Sequence, residues 1–336
     1  MKMYFKSSYL HGIVSVLFMF CIIIGVYYLW SPGDQIAGGR YDRRTNGIWI
    51  QHGWLGDNYW FESNGRDKSL FRNDIKIQEL ASLFKNHGVR YVFPHLCPCN
   101  PNGKIAMMDS VQTERFLDFF EDFSVVPWIG GVLDLHCFPE RPQWRSAFIS
   151  SVVDLLLSHP RLSGVHLNIE PMPSGNQDFL NLLRGLQKEI PEGKILSIAA
   201  YPPPTFWHPF MDVHWDESYY KQIVHHADQI VPMMFDTSIR FSRPYQYLMS
   251  CWTSEVLNWS GGTQVLLGIP AYEDVGVGYH FPEVENLKNA LMGIHSGLSK
   301  HKLLPDNYSG VSIYCEWEMD QQKWDYFKKE FEKQDE

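Results

Sequence analysis

The nine residues Ser163-Gly164-Val165-His166-Leu167-Asn168-Ile169-Glu170-Pro171 decide how the rest of the chain is read. Side chains on a strand alternate between its two faces, so Val165, Leu167 and Ile169 form an apolar file while His166, Asn168 and Glu170 form a polar one. In a closed parallel barrel such a polar file points inward, toward the barrel mouth. Outward from this stretch in both directions, short β-branched and aromatic runs alternate with segments of helical periodicity, the pattern of a parallel α/β fold. The runs predict strands over 47–54, 89–96, 124–132, 164–170, 194–201, 229–236, 264–272 and 310–317. Between them, helices are predicted over 74–87, 110–122, 143–158, 176–189, 218–227, 244–258, 282–299 and 321–331; in the first, Ile77, Leu80, Ala81 and Phe84 recur at helical spacing. Eight such pairs fit a (β/α)8 TIM barrel over residues 46–336, with its site at the C-terminal ends of the strands. The same elements in a doubly wound open sheet are the alternative. The sequence holds no dominant internal repeat, low-complexity tract or second-domain linker.

Composition agrees with one large domain. The chain has 336 residues, 45% apolar and 20% charged, enough to bury a core without a disulfide framework or a structural metal. A net charge of −9 and the lack of a basic stripe argue against a nucleic-acid partner. Phe, Tyr and Trp make up 15% of the residues, a load that fits a packed core and also a cleft that stacks flat ligands such as sugar rings.

The N-terminus reads differently. Gly12 to Trp30 is free of charge and close to the roughly 20 apolar residues that cross a bilayer. Lys2 and Lys6 precede it as the positive-inside rule asks, although Arg40, Arg43 and Arg44 follow closely. A cleaved signal has a shorter apolar core and an Ala-x-Ala-like site, which Ser31-Pro32-Gly33-Asp34 does not offer. The expected organisation is a cytoplasmic N-terminus (1–11), a transmembrane signal-anchor (12–30), a stalk (31–45) and an extracytoplasmic barrel domain. Beyond Cys21 in the span, Cys97, Cys99, Cys137, Cys251 and Cys315 leave an odd thiol for an oxidising compartment. His95, Cys97, Cys99, His136 and Cys137 resemble a zinc set in composition, but the spacing is not the usual C-x2-C, and loop disulfides or buried thiols are expected instead.

Strand ends are where chemistry is expected. His, Asn and Glu in one inward file mark the fourth strand as a candidate site, against the plainer reading of a hydrogen-bonded strand end. The chain has no G-x-S-x-G elbow, P-loop or H-E-x-x-H, and no cofactor or metal is expected. Asp57, Asp134, Glu273 and Glu316 are further strand-end acids, of which Glu273 or Glu316 could stand as a second carboxylate beside Glu170.

Several strand ends together resemble the family-18 glycoside hydrolases, the chitinase-like barrels. That family carries an SxGG-type third strand, a DxxDxDxE fourth, an M-x-Y-D sixth, a G-x-P-x-Y seventh and an aromatic on the eighth. Here the third strand reads Trp128-Ile129-Gly130-Gly131, the fourth keeps Glu170, and the sixth reads Met233-Met234-Phe235-Asp236. The seventh reads Gly268-Ile269-Pro270-Ala271-Tyr272 and the eighth Gly310-Val311-Ser312-Ile313-Tyr314; the fifth, Leu196 to Ala200, is also similar. The departures are Ser163, His166 and Asn168 in place of three aspartates, and Phe235 in place of a tyrosine that contacts the substrate's acetamido oxygen. Asn168-Ile169-Glu170 also resembles the Asn-x-Glu pair of family-85 endo-β-N-acetylglucosaminidases.

The resemblance implies a glycosidase acting on a β-linked N-acetylglucosamine-containing oligo- or polysaccharide. Glu170 is then the general acid, and Asn168 and Asp236 orient the acetamido group that attacks the anomeric carbon. Trp54, Trp128, His166, Tyr201, Phe235, Tyr272, Tyr314 and Trp317 are the expected sugar-binding residues. A non-catalytic glycan binder that kept the cleft and lost the aspartates is one alternative, and a retaining glycosidase that pairs Glu170 with Glu273 or Glu316 is the other. Asn168 cannot raise the pKa of Glu170 by like-charge repulsion, so Glu170 needs burial to stay protonated.

Overall fold

The structure, a computed structural model, describes residues 2–29, 38–205, 212–274, 276 and 278–333. The expected stalk therefore lies partly outside the described residues, as does Trp30 at the end of the expected span.

The described strands are β1 Asn46–Ile50, β2 Val89–Pro94, β3 Ser124–Val125, β4 Trp128–Val132, β5 Gly164–Glu170, β6 Ile195–Ala200, β7 Gln229–Pro232, β8 Gln264–Pro270 and β9 Tyr308–Tyr314. All pair in parallel, in the order β3-β2-β1-β9-β8-β7-β6-β5-β4. The two ends of that order are the halves of one predicted strand, interrupted at Val126–Pro127, so the sheet closes on itself as a (β/α)8 barrel rather than an open doubly wound sheet. Proline supplies no N–H to the ladder, which accounts for the break. Across it, the Val126 N–H still donates to the Val92 carbonyl and the Leu96 N–H to that of Trp128.

The helices are α1 Lys2–Leu29, α2 Asn58–Ser63, α3 Asp74–Asn86, α4 Ser110–Phe119, α5 Pro142–Ser158, α6 Gln177–Glu189, α7 Glu217–Val224, α8 Ser242–Trp259, α9 Leu287–Leu298 and α10 Gln321–Glu330. Six begin on an Asn or Asp whose side chain accepts from a backbone N–H of the first turn: Asn73, Asp109, Asn176, Asp216, Asn286 and Asp320. Each such cap is worth about 1 kcal/mol and fixes where the βα loop ends.

Two apolar layers hold the barrel. Between sheet and helices lie the outward files, including Ile48, Ile50, Val165, Leu167, Ile169 and Ile198, packed on helix residues such as Phe84, Phe116 and Leu183. Inside the barrel Trp49, Phe93, Val126, Trp128, Val231 and Leu266 form a second cluster. Through it runs a polar chain. Trp49 Nε1 donates to His166 Nε2 (3.1 Å), His166 Nδ1 pairs with Ser197 Oγ (2.8 Å), and Ser197 Oγ donates to Gln229 Oε1 (2.8 Å). Gln229 Nε2 then donates to Gln264 Oε1 (3.0 Å), and Gln264 Nε2 to the Tyr91 hydroxyl (2.8 Å). Buried polar groups are tolerated because each finds a partner.

The sixth strand ends at Pro232, four residues before its predicted end at Asp236. Beyond it the backbone leaves the extended region, with Asp236 at φ 61° and Ser238 at φ 59°. Tyr41 and Asp42, within the expected stalk, are buried against the barrel: the Tyr308 hydroxyl donates to the Tyr41 carbonyl (3.0 Å) and Asn46 Nδ2 to Asp42 Oδ1 (3.0 Å). In α1, the 21 residues Tyr9–Leu29 form a helix long and apolar enough to cross a membrane, with none of it buried in the protein.

Candidate active site

The carboxyl of Glu170 closes the inward file of β5 where the strand meets its loop. Two residues earlier, Asn168 Nδ2 donates to Glu170 Oε1 at 2.5 Å, and Asn168 Oδ1 is buried without a hydrogen-bond partner. The Tyr201 hydroxyl, at the end of β6, also bonds the Glu170 carboxyl. Burial pushes the Glu170 pKa up and the nearby charge of Asp236 adds to this, while the bonds from Asn168 and Tyr201 oppose it; the net direction is upward. A raised pKa suits a carboxyl that must carry a proton near neutral pH.

The neighbouring strand makes room for this pair. Gly130 stands opposite Asn168 in the β4–β5 register. Its φ is 120°, and a Cβ there would lie 2.0 Å from the Asn168 carbonyl oxygen. Only glycine lets the two backbones approach so closely.

A cavity of about 170 Å³ opens above Glu170, lined by Trp49, Trp128, Asn168, Met233, Phe235, Asp236, Tyr272, Asp274, Tyr279 and Tyr314. Phe235 stacks on Tyr314 at 5.4 Å between ring centroids and 17° between planes, and Tyr272 meets both rings edge-on. Two further cavities share Glu170. One, of about 400 Å³, runs past Trp128 to His52, Trp60, His95, Pro98 and His136; the other, of about 430 Å³, is walled by Tyr201, Pro202, His214, Phe235 and Tyr279. The result is a cleft with Glu170 at its middle, walled by aromatic rings and containing few charged groups. This is the chemistry of a site that binds a polyol by stacking and hydrogen bonds.

Most of the residues expected from sequence meet here. Asn168, Glu170, Asp236, Trp128, Phe235, Tyr272 and Tyr314 line the central cavity and Tyr201 an adjoining one. Three do not line any of the three cavities. His166 points into the same barrel but two residues deeper, fully buried in the polar chain, where burial pushes its pKa down to about 3. Trp54 faces outward and packs on Phe71 and Phe116. Trp317 stands in the turn after β9, partly exposed, edge-on to Tyr314 at 5.9 Å. The carboxyls proposed as second partners of Glu170 are elsewhere too: Glu273 is mostly exposed and pairs with Lys323 (2.9 Å), and neither it nor Glu316 lines the cleft.

Sequence reasoning missed Trp49, Tyr279, His280 and Glu285. Trp49 was legible, since Ile48 and Ile50 face out and the residue between them must face in. The other three lie on the loop after β8, where no periodicity applies. There the Tyr272 hydroxyl bonds Asp236, and His280 and Glu285 lie behind Asp236. Among the described residues, Asp236, His280 and Glu285 form a tight group, with one side-chain N or O atom of each within 4.8 Å of the others. The expected thiols do not gather as a zinc set: Cys99 and Cys137 touch at 3.6 Å between sulfurs, while the Cys97 thiol donates to the Trp128 carbonyl.

No protein-family model matches the sequence, and no curated protein sequence matches it significantly. Comparison of folds gives a different result. The chain is similar to the spore cortex-lytic enzyme SleL of Bacillus cereus, with TM-score 0.54 and 12% identity over 85% of this chain and 74% of that one. It is similar to a chitinase from Chromobacterium violaceum, with TM-score 0.54 and 13% identity over 85% and 98% of the two chains. It also resembles the family-18 chitinase ChiB of Flavobacterium johnsoniae, with TM-score 0.53 and 14% identity over 87% and 94%. The chain thus has the TIM-barrel fold of the chitinase-like barrels, as its strand-end motifs imply.

Proposed function

We propose that the protein is a membrane-anchored glycosidase that cleaves a β-linked, N-acetylglucosamine-containing glycan outside the cytoplasm by a substrate-assisted mechanism. The observation that carries this reading is the Asn168–Glu170 pair. Asn168 commits its amide nitrogen to Glu170 and leaves a buried carbonyl oxygen free. Asn168 lines the cleft, and once its side chain turns that oxygen outward it can accept the N–H of an acetamido group and hold it beside the carboxyl that acts on the glycosidic oxygen. Glu170 gives its proton to the leaving oxygen while the acetamido oxygen bonds to the anomeric carbon, forming an oxazolinium. Water then attacks that carbon, loses its proton to Glu170, and the acetamido group is restored. Asp236 holds the acetamido group from the other side, and Trp49, Trp128, Phe235, Tyr272 and Tyr314 form the sugar-binding walls. The fold likeness to chitinases supports the substrate class. α1 is read as the anchor, with residues 1–11 cytoplasmic, 12–30 in the membrane and 31–45 connecting to the barrel.

The test is release of a chromophore from β-linked N-acetylglucosamine oligosaccharides by the full chain in detergent. Turnover that Glu170→Gln lowers by about 10²-fold or more supports the reading. Tight binding of the oligosaccharide with no release identifies a glycan-binding protein instead. Asn168→Ala should lose kcat on the oligosaccharide yet still process an oxazoline donor, which is already activated; loss of both reactions removes the assigned role of Asn168.

A further inference from the structure

Asp236 has a backbone conformation that few non-glycine residues adopt, and its side chain is about one-third exposed to the cleft. Something must hold it, and the loop after β8 supplies the contacts. His280 lies behind it, 2% exposed, with its ring stacked on that of Tyr272 at 4.0 Å and 18°. Its Nε2 is 3.1 Å from the Tyr272 carbonyl oxygen. A carbonyl only accepts, so Nε2 carries a hydrogen. Its Nδ1 is 3.2 Å from Asp236 Oδ1 and 3.9 Å from Glu285 Oε2, in line with neither well enough to be a directed hydrogen bond. A neutral ring with its proton on Nε2 would turn a lone pair toward two carboxyl groups. A doubly protonated ring turns an N–H between them.

We propose that His280 is a resident imidazolium, clamped between Asp236, Glu285 and the Tyr272 carbonyl, and that it is a positioning residue for Asp236. Glu285 completes the unit. It is fully buried, its Oε2 accepts the Thr237 N–H at 2.9 Å, and its Oε1 has no partner. That N–H belongs to the residue after Asp236, so Glu285 ties down the same turn from below. Asp236, Glu285 and Tyr272 are the groups that His280 faces, and no Lys or Arg contributes to its titration. Burial alone would lower the His280 pKa, but the nearby Asp236 and Glu285 carboxyl groups outweigh it and the net direction is upward. The protonation state stands on this geometry alone; its effect on turnover rests on the glycosidase reading.

The test is long-range 1H–15N NMR of the full chain in detergent micelles with 15N-labelled histidine, the His280 signals being assigned by their loss in His280→Gln. Both ring nitrogens are expected in the protonated range at pH 7, and Asp236→Asn should lower the titration midpoint by about one unit or more. A neutral tautomer at pH 7, or a midpoint unmoved by Asp236→Asn, would overturn the proposal. So would stoichiometric zinc in the purified protein whose removal by chelator shifts the His280 signals, since the ring would then be a metal ligand. If the glycan is cleaved, His280→Gln should lower kcat by about 10- to 100-fold through misplacement of Asp236, with the loss steepest below the wild-type His280 midpoint. Absence of any turnover in the wild type with the expected NMR counts against the glycosidase reading and leaves the clamp intact.

Discussion

Gly130 and Asn168 face each other across β4 and β5 with no space for a methyl group between them, and the position of the Glu170 carboxyl depends on that contact. A Cβ on residue 130 would drive into the Asn168 carbonyl and force the strands apart at the point where the polar file reaches the cleft. Gly130→Ala is therefore expected to destabilise the barrel by about 2 to 4 kcal/mol, from the overlap and from a strained positive φ. Urea denaturation followed by tryptophan fluorescence measures it. A variant within about 0.5 kcal/mol of wild type would show that the strands separate freely there.

Asn168→Asp reverses the electrostatics of the pair. A second carboxylate in hydrogen-bond contact with Glu170 disfavours its ionised form and adds to the upward shift that burial already gives. In the proposed mechanism the protonated acid is the working form, so the alkaline limb of the pH–rate profile is expected to move up by about one unit or more. The limb of kcat/KM against pH reports this directly, and a shift downward would contradict the role of Glu170 as acid.

Glu316, in the turn after β9, is pushed up to about 7 by burial, and its Oε2 has no hydrogen-bond partner. The native state then holds a proton that the unfolded chain releases near its ordinary value of 4.5, so stability from this group is present below about pH 4.5 and is lost as pH rises to about 7. His166 acts oppositely: buried neutral with a pKa of about 3 against 6.5, it stabilises above 6.5 and that contribution is lost as pH falls through 3. Unfolding midpoints between pH 4 and 8 should show Glu316→Gln with a weaker alkaline decline than wild type. Equal slopes would mean that Glu316 ionises freely in the native state.

The N-terminal boundary of the barrel can be measured. Full-length protein is expected to sediment with membranes, and a chain starting at Gly38 to be soluble and folded. A chain starting at Thr45 lacks Tyr41 and Asp42, both buried, and with them the bonds to Tyr308, Asn46 and the Lys333 backbone. It should melt lower than the Gly38 chain by about 5 °C or more. Full-length protein found soluble with its N-terminus intact would count against the anchor.

The sequence by itself determined the order of the elements and favoured a closed barrel over an open sheet, because strand and helix periodicities are local and eight pairs in one chain leave few ways to bury their apolar faces. It also determined that His166, Asn168 and Glu170 share one face, since alternation follows from the pleat alone. What alternation does not encode is depth along the strand. Asn168 and Glu170 reach the cleft, whereas His166, in the same file, ends in the barrel's interior because Trp49 and Ser197, on two other strands, supply its partners. The break at Val126–Pro127 and the end of the sixth strand at Pro232 could be anticipated from proline, but the turn that aims Asp236 depends on Tyr272, His280 and Glu285 from another βα unit. Contacts between residues 36 to 48 positions apart, made by a loop with no repeating pattern, exist only once the barrel has closed. That is why the strand-end residues were legible from the chain, and the residues behind them became visible only in the folded structure.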